Sequence, residues 1–114
     1  KTPETLMNGA LAGAVLENYV ISEIRKSWTN AGLDPIFWYY RDRDAREIDL
    51  IILNDGKLYP CEIKRTSTPH TEMISAFSLL DKTEFPESHG ALICMNAQLS
   101  ALNARHYIVP VWMI

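Results

Sequence analysis

Cysteine is scarce, and the little there is lacks metal-binding spacing. Cys61 and Cys94 are the 2 cysteines in 114 residues. Each lies in an apolar run that reads as a strand, and no CxxC or Cys/His pattern suggests zinc. Reduced, buried thiols in a cytoplasmic protein are expected. Long hydrophobic runs are missing too. No stretch approaches the roughly 18 to 20 apolar residues of a membrane span, and no signal peptide is visible, so no membrane partner is expected. Basic excess is absent as well: 11 Lys+Arg against 14 Asp+Glu give a net charge of -3. Contact with nucleic acid would therefore have to rest on local patches or on metal ions. There is no internal repeat and no low-complexity tract.

What is present is enough apolar material, 47% of the chain, for one core and too little length for two ordinary domains. A single domain over residues 1–114 is expected. Apolar or small residues at Ala10, Ala14, Val20, Ile21 and Ile24 predict an amphipathic helix from about Glu4 to Trp28. Thr2 and Pro3 would open it, Gly9 and Gly13 would allow a close backbone approach, and Asn30-Ala31-Gly32 would stop it. Ile36 to Arg41 and Glu47 to Leu53 read as strands separated by the charged turn RDRDAR. Asn54-Asp55-Gly56 is a hairpin signal leading into a third strand, Lys57 to Lys64.

Thr68 and Pro69 then predict the start of a second helix, with Met73, Ala76, Phe77 and Leu80 as its apolar stripe and an end near Lys82. Gly90 to Met95 and His106 to Trp112 read as further strands joined by a short polar or helical link. The fold class is α/β (α+β), in the order α, three β, α, β, β, which contains an αβββαβ core. The crossover helix makes the strand at Gly90 parallel to an earlier one, in a mixed sheet flanked by helices.

Charged residues at positions that the period assigns to the interior carry the functional signal, because burying a charge costs several kcal/mol unless it is paired or ligates a metal. Glu17 falls within the first helix's apolar stripe. Either it faces the sheet, or it is a boundary residue that reaches solvent or an arginine. Asp49 interrupts a strand that is otherwise apolar on both faces. Glu62 and Lys64 are two apart in CEIK, hence on one face, roughly 7 Å apart along the strand.

A two-residue turn at Asp55-Gly56 pairs Asn54 with Lys57 and, counted outward, sets Asp49 opposite Glu62. Two carboxylates facing each other across a ladder are destabilising unless something cationic lies between them. A divalent metal answers that need. The same register places Glu47 opposite Lys64, so a plain cross-strand ion pair is the competing explanation. Pro60 in the same strand lacks a ladder donor and asks for an edge position or a bulge.

Mg²⁺ or Mn²⁺ suits hard oxygen ligands, and a nearby ammonium can orient a metal-activated water or offset charge on phosphorus. Asp49 and Glu62, with Glu17 from the helix side and Lys64 beside them, would support phosphodiester hydrolysis of DNA or RNA. Arg41, Arg43 and Arg65 could contact a phosphate backbone, although acidic neighbours of the charged turn largely cancel its arginines.

A helix Glu, a strand Asp before a hairpin and an ExK in the next strand resemble the PD-(D/E)XK, restriction-endonuclease-like superfamily. GALAGAVLENYVISEI, FWYYRDRDAREIDLIILNDGKLYPCEIK and VPVWMI are similar to the uncharacterised C-terminal domain of many bacterial and archaeal AAA-type ATPases. The resemblance implies Asp49 and Glu62 as metal ligands, Lys64 as catalytic lysine and Glu17 as helix acid. Ile48 stands where the superfamily's proline would precede the Asp. It also implies an upstream P-loop ATPase module, through which alone ATP would act. The start at Lys1, without Met and within a helical pattern, is what a piece of a longer chain would show.

The expected function is a metal-dependent nuclease domain attached to an ATPase, with DNA and the ATPase module as partners. The competing expectation is a catalytically idle module of the same fold that binds nucleic acid or a protein and regulates the ATPase. A third is a homo-oligomerisation domain using exposed aromatics such as Trp28 and Trp38.

Overall fold

The computed structural model describes residues 9–114. Helix α1, Ala10–Asn30, is followed by strands β1 (Ile36–Arg41), β2 (Glu47–Asn54) and β3 (Lys57–Ile63). A 3₁₀ segment, Thr71–Lys82, leads to β4 (Gly90–Cys94), the two-residue β5 (Ser100–Ala101) and β6 (His106–Pro110), and a last 3₁₀ turn spans Val111–Met113. The six strands form one sheet in the order β1-β2-β3-β4-β6-β5. β1, β2 and β3 are an antiparallel meander, β4 runs parallel to β3 and β6 parallel to β4, and β5 closes the far edge antiparallel to β6. The expected mixed α/β architecture is what the chain adopts. The predicted Thr2 and Pro3 start of α1 lies outside the described residues.

The central strands are apolar on both faces because both faces are covered. On one side Val20 of α1 meets Leu50, Ile52, Cys61, Ile63 and Ile93, joined by Leu16, Ile24 and Trp28. On the other, Ile74, Phe77 and Leu80 of the 3₁₀ segment pack on Ile48, Ile51, Leu58, Leu92, Cys94 and Ile108. Burying a Leu or Ile side chain contributes about 1.5–3 kcal/mol. These two layers therefore hold β2, β3 and β4 as a rigid platform. Both cysteines are free and buried within it, and burial pushes the Cys61 thiol up to about 12. No helix among the described residues is long and apolar enough to cross a membrane.

Several local expectations are revised. The buried stripe of α1 is Leu16, Val20, Ile24 and Trp28, whereas Ala10 and Ala14 are exposed. A Cβ on Gly13 would meet nothing within 4 Å, so this glycine serves no close approach. Trp28 is not a free aromatic: it packs edge-on against Tyr59 at 5.8 Å between centroids. The second helix is 3₁₀ rather than α and begins at Thr71, not at Pro69. Its start is delayed because Thr66 Oγ1 accepts the Thr68 amide in a tight turn and His70 is extended at φ -150. Ile74, at φ -110, breaks its regularity midway.

Pro60 lies in an interior strand, and its missing donor is accommodated by a gap in pairing. β3 contacts the chain before β4 at Leu58, whose amide donates to Pro86, and the parallel ladder resumes only at Cys61↔Ala91.

Candidate functional site

The β2–β3 hairpin turns at Asp55 and Gly56, both in the left-handed region at φ 52 and 71. That is the signature of a type I′ turn, whose twist matches the flanking strands. The turn fixes the register Asn54↔Lys57 through Leu50↔Cys61, as the sequence predicts. One step further, where Asp49 would face Glu62, the ladder changes. Across the other side of β2 the pairing steps from Trp38↔Ile51 to Tyr40↔Ile48, so Asp49 and Leu50 together oppose Tyr39 in a β-bulge. The bulge re-aims Asp49. Its Oδ2 accepts the Ile63 amide at 2.8 Å, taking the place a backbone carbonyl would occupy on the next rung.

Glu62 points from β3 toward the 3₁₀ segment and is 6% exposed. Lys64, two residues on, shares its face, and its Nζ lies 3.1 Å from Glu62 Oε2. The Lys64 amide donates to Ile93 of β4, which anchors the end of β3. The alternative pairing of Lys64 with Glu47 is not the one adopted, since Glu47 Oε1 instead meets Arg41 Nε at 3.3 Å. Glu17 approaches from α1, half-buried on the flank of the apolar stripe.

Asp49 raises both of the other acids. Burial pushes the Glu62 carboxyl up to about 7, with the Asp49 charge adding to the rise and Lys64 opposing it. Asp49 is also raised, first by burial, against the opposing pull of the Ile63 amide and Lys64. Glu17 is raised by burial and then by Asp49 and Glu47, with Lys64 again opposing. Perturbed, mutually coupled acids next to a cation are a recognised mark of functional sites, although structural ion pairs show the same behaviour.

Two clefts meet here. Glu17 and Asp49 line one of about 250 Å³ with Tyr39, Tyr40, Arg41, Glu47 and Ile48. Glu62 and Lys64 line another of about 520 Å³, between the charged turn at Ala45 to Glu47 and His70, Glu72, Met73, Ser75 and Ala76. Glu47 borders both. The structure thus brings Glu17 to Asp49, and Glu62 to both Asp49 and Lys64, so that Asp49 at the bulged end of β2 lies between the two other acids. Among the described residues, no three His, Cys, Asp or Glu side chains form a ready-made ligand set.

The charged turn is built around Asp42. Its carboxylate accepts the Asp44 and Arg46 amides, the Tyr40 hydroxyl and Arg46 Nε. Arg46 is thereby engaged in shaping the turn. Of the three arginines proposed for phosphate, Arg41 lines the smaller cleft, Arg43 is exposed on the turn, and Arg65 lines an apolar groove beside α1.

Sequence reasoning missed His70, which the fold brings to the wall of the Glu62 cleft. It also missed the buried pair formed by His106 Nε2 and Glu87 Oε2 at 2.5 Å on the far side of the sheet. No local spacing signals either, because each depends on which strands become neighbours.

Asp49 has a structural duty, and this separates its own variants. Asp49→Ala leaves the Ile63 amide without an acceptor, a loss of about 1–2 kcal/mol, whereas Asp49→Asn keeps an acceptor and still removes the charge. Urea unfolding at pH 8 is expected to rank Asn above Ala by about 1 kcal/mol. Equal stabilities would show that the Ile63 bond contributes nothing.

The chain matches the family described as "Domain of unknown function (DUF4143)" over residues 12–114. Comparison with curated proteins returned no match, and neither did comparison with solved structures. Since the matched span takes in α1, the whole sheet and both acid-bearing strands, the chain belongs to the DUF4143 family, a domain of unknown function.

Proposed function

We propose that this domain is a metal-dependent nuclease acting on DNA, carried by a longer chain with an upstream AAA-type ATPase module. The observation that supports it most is the buried Glu62 carboxylate, raised toward neutrality by burial and by Asp49, with the Lys64 ammonium 3.1 Å away. A fold gains nothing in stability from two partly buried acids set against each other. A site for a cation does gain from them. The donor set of Asp49 and Glu62, with Glu17 nearby, fits Mg²⁺ or Mn²⁺, which need only one or two carboxylates and take water and phosphate oxygens for the rest.

Asp49 and Glu62 would hold such an ion, which when bound lowers the pKa of water and neutralises phosphate charge. The bond from the Ile63 amide, which fixes Asp49 Oδ2, would hold this carboxylate in place for such a role. Lys64, 45% exposed, can turn its ammonium from Glu62 toward a phosphoryl oxygen or an attacking water. Glu17, which lines the smaller cleft with Asp49, would accept a proton from that water. Arg41 and Arg43 stand at the cleft mouth and turn for backbone phosphates.

A second reading, an idle module of the same fold that regulates the ATPase, is favoured by one specific observation. Glu17 and Asp49 open into a different cleft from Glu62 and Lys64.

The test is calorimetric titration of Mn²⁺ and Mg²⁺ into the wild type, Asp49→Asn and Glu62→Gln, followed by incubation with single-stranded, duplex and branched DNA. Metal affinity falling by tenfold or more in each variant, with cleavage abolished, is the expected outcome. Metal binding without cleavage of any substrate would favour the idle module. Affinity unchanged in both variants would remove the nuclease reading.

A further inference from the structure

β1 carries a run of aromatics, Phe37 to Tyr40, and the fold uses them differently. Alternation along the strand sends Phe37, Tyr39 and Arg41 to the face that α1 covers, and Trp38 and Tyr40 to the other. Phe37 is packed into the α1-side layer, with the Arg25 guanidinium 4.3 Å from its ring centre. Tyr40 packs on the opposite layer, and its hydroxyl donates to Asp42. Tyr39 has neither layer to enter and is 78% exposed.

A single exposed ring is ordinary on a protein surface. What sets Tyr39 apart is its place. It is the residue that Asp49 and Leu50 jointly oppose in the bulge, and it lines the cleft of about 250 Å³ together with Asp49, Glu17 and Arg41. Arg41 follows on the same face, roughly 7 Å along the strand. Its contact with Glu47, at 3.3 Å between side chains 69% and 48% exposed, is a surface pair that contributes little and can give way to a phosphate. On the other side of Tyr39, Phe37 and Arg25 continue the row. An aromatic face thus lies between two guanidinium groups, beside the acids assigned to the ion. Stacking rings flanked by cations are the means by which proteins hold single-stranded nucleic acid.

We propose that the domain takes single-stranded DNA, with one base stacked on Tyr39 while Arg41 meets a backbone phosphate next to it. This inference rests on the nuclease reading for the position of the cut strand and deepens it by naming the form of the substrate. In a duplex both faces of a base are already covered by its neighbours, so stacking on Tyr39 would require that base to be pulled out of the helix. An unpaired base offers its face at no such cost. Trp38, on the opposite face of β1, takes no part.

Fluorescence anisotropy of a labelled single strand of about 12 nucleotides, against a duplex of the same length, tests this on the 114-residue chain. Ca²⁺ replaces Mn²⁺ in this measurement so that the DNA stays whole. The single strand is expected to bind roughly tenfold tighter than the duplex. Tyr39→Ala should weaken single-strand binding by about fivefold or more and leave duplex binding nearly unchanged, while Tyr39→Phe, which keeps the ring, should bind as the wild type does. Calorimetry with Mn²⁺ on the same proteins reads the metal site separately. Equal affinity for strand and duplex, or a Tyr39→Ala protein that holds the strand as tightly as the wild type, would overturn the proposal; if Mn²⁺ still binds and DNA is still cut, the nuclease reading survives it. A strand preference that depends on Tyr39 in a chain that takes up no Mn²⁺ would instead overturn the nuclease reading and leave the stacking role of Tyr39 in place. Should far-UV dichroism show Tyr39→Ala to be misfolded, Tyr39→Leu and the strand preference of the wild type decide the matter.

Discussion

Glu62→Gln is expected to make the metal-free domain more stable at pH 8 while leaving it little changed at pH 5. The Glu62 carboxyl is raised to about 7 in the folded chain, first by burial and then by Asp49. In the unfolded chain it returns to the ordinary range, near 4.3. Below roughly pH 4 both states hold the proton and the group imposes no pH dependence. As pH rises through the window between those values, the unfolded chain releases its proton first. Unfolding is then favoured, and stability falls until the folded-state group has ionised as well. The stability lost across the window is on the order of 3 kcal/mol. Asp49 and Glu17, also raised, add to it in the same direction. Glutamine keeps the shape and can still accept from the Lys64 ammonium, but it never ionises. Thermal unfolding at pH 5 and pH 8 checks this. The wild type should lose stability between them, and the variant should lose much less, melting on the order of 10 °C above the wild type at pH 8. Parallel profiles would mean that Glu62 is ionised at no cost in the folded state. In that case it would need no cation, and the main support for the proposed chemistry would go.

The same residues show what could be read from the sequence and what could not. The hairpin register was legible because Asp55-Gly56 is a local turn signal, and a two-residue turn leaves one pairing only. The bulge at Asp49 and Leu50 was not, because no glycine or proline marks it; it arises where β1 and β2 must twist past one another. A sequence can therefore place Asp49 and Glu62 on one rung without revealing that they line different clefts. On α1, alanines fit an apolar stripe as well as they fit an exposed face, so the period alone chose Ala10 and Ala14 over Leu16. For the crossover segment, apolar positions three and four apart suit a 3₁₀ and an α-helix alike, and the extended His70 that delays its start has no signature. The parallel placement of β4 followed from the crossover, since strands joined through a helix return in the same direction. What the crossover could not supply was the set of side chains that β4 meets on arrival.

That arrival point is Gly90, and Gly90→Ala is expected to destabilise the domain by about 3 kcal/mol. A Cβ at this position would stand 2.9 Å from His106 Cδ2, 3.0 Å from the Pro60 carbonyl oxygen and 3.1 Å from Phe77 Cε2. None of the three can yield cheaply. The Pro60 oxygen is backbone of an interior strand. The Phe77 ring is 2% exposed and rests against His106 at 5.4 Å between centroids. The His106 imidazole is tied to Glu87, whose side chain is 3% exposed, so displacing the ring breaks a buried pair. Relief has to come from moving β4 away from β3. Lys64 reports that movement, because its amide donates to Ile93 three residues along β4. The crowding can be tested through its partner. In a His106→Ala background the nearest contact is gone, so Gly90→Ala should cost at least 1 kcal/mol less than it does in the wild type. Urea unfolding of the four proteins in this cycle measures the coupling. A penalty of the same size in both backgrounds would place the strain at Pro60 and Phe77 instead. A penalty under about 1 kcal/mol in the wild type would show that β4 has room to shift. If β4 shifts, the end of β3 that carries Glu62 and Lys64 is less rigidly held than its hydrogen bonds imply.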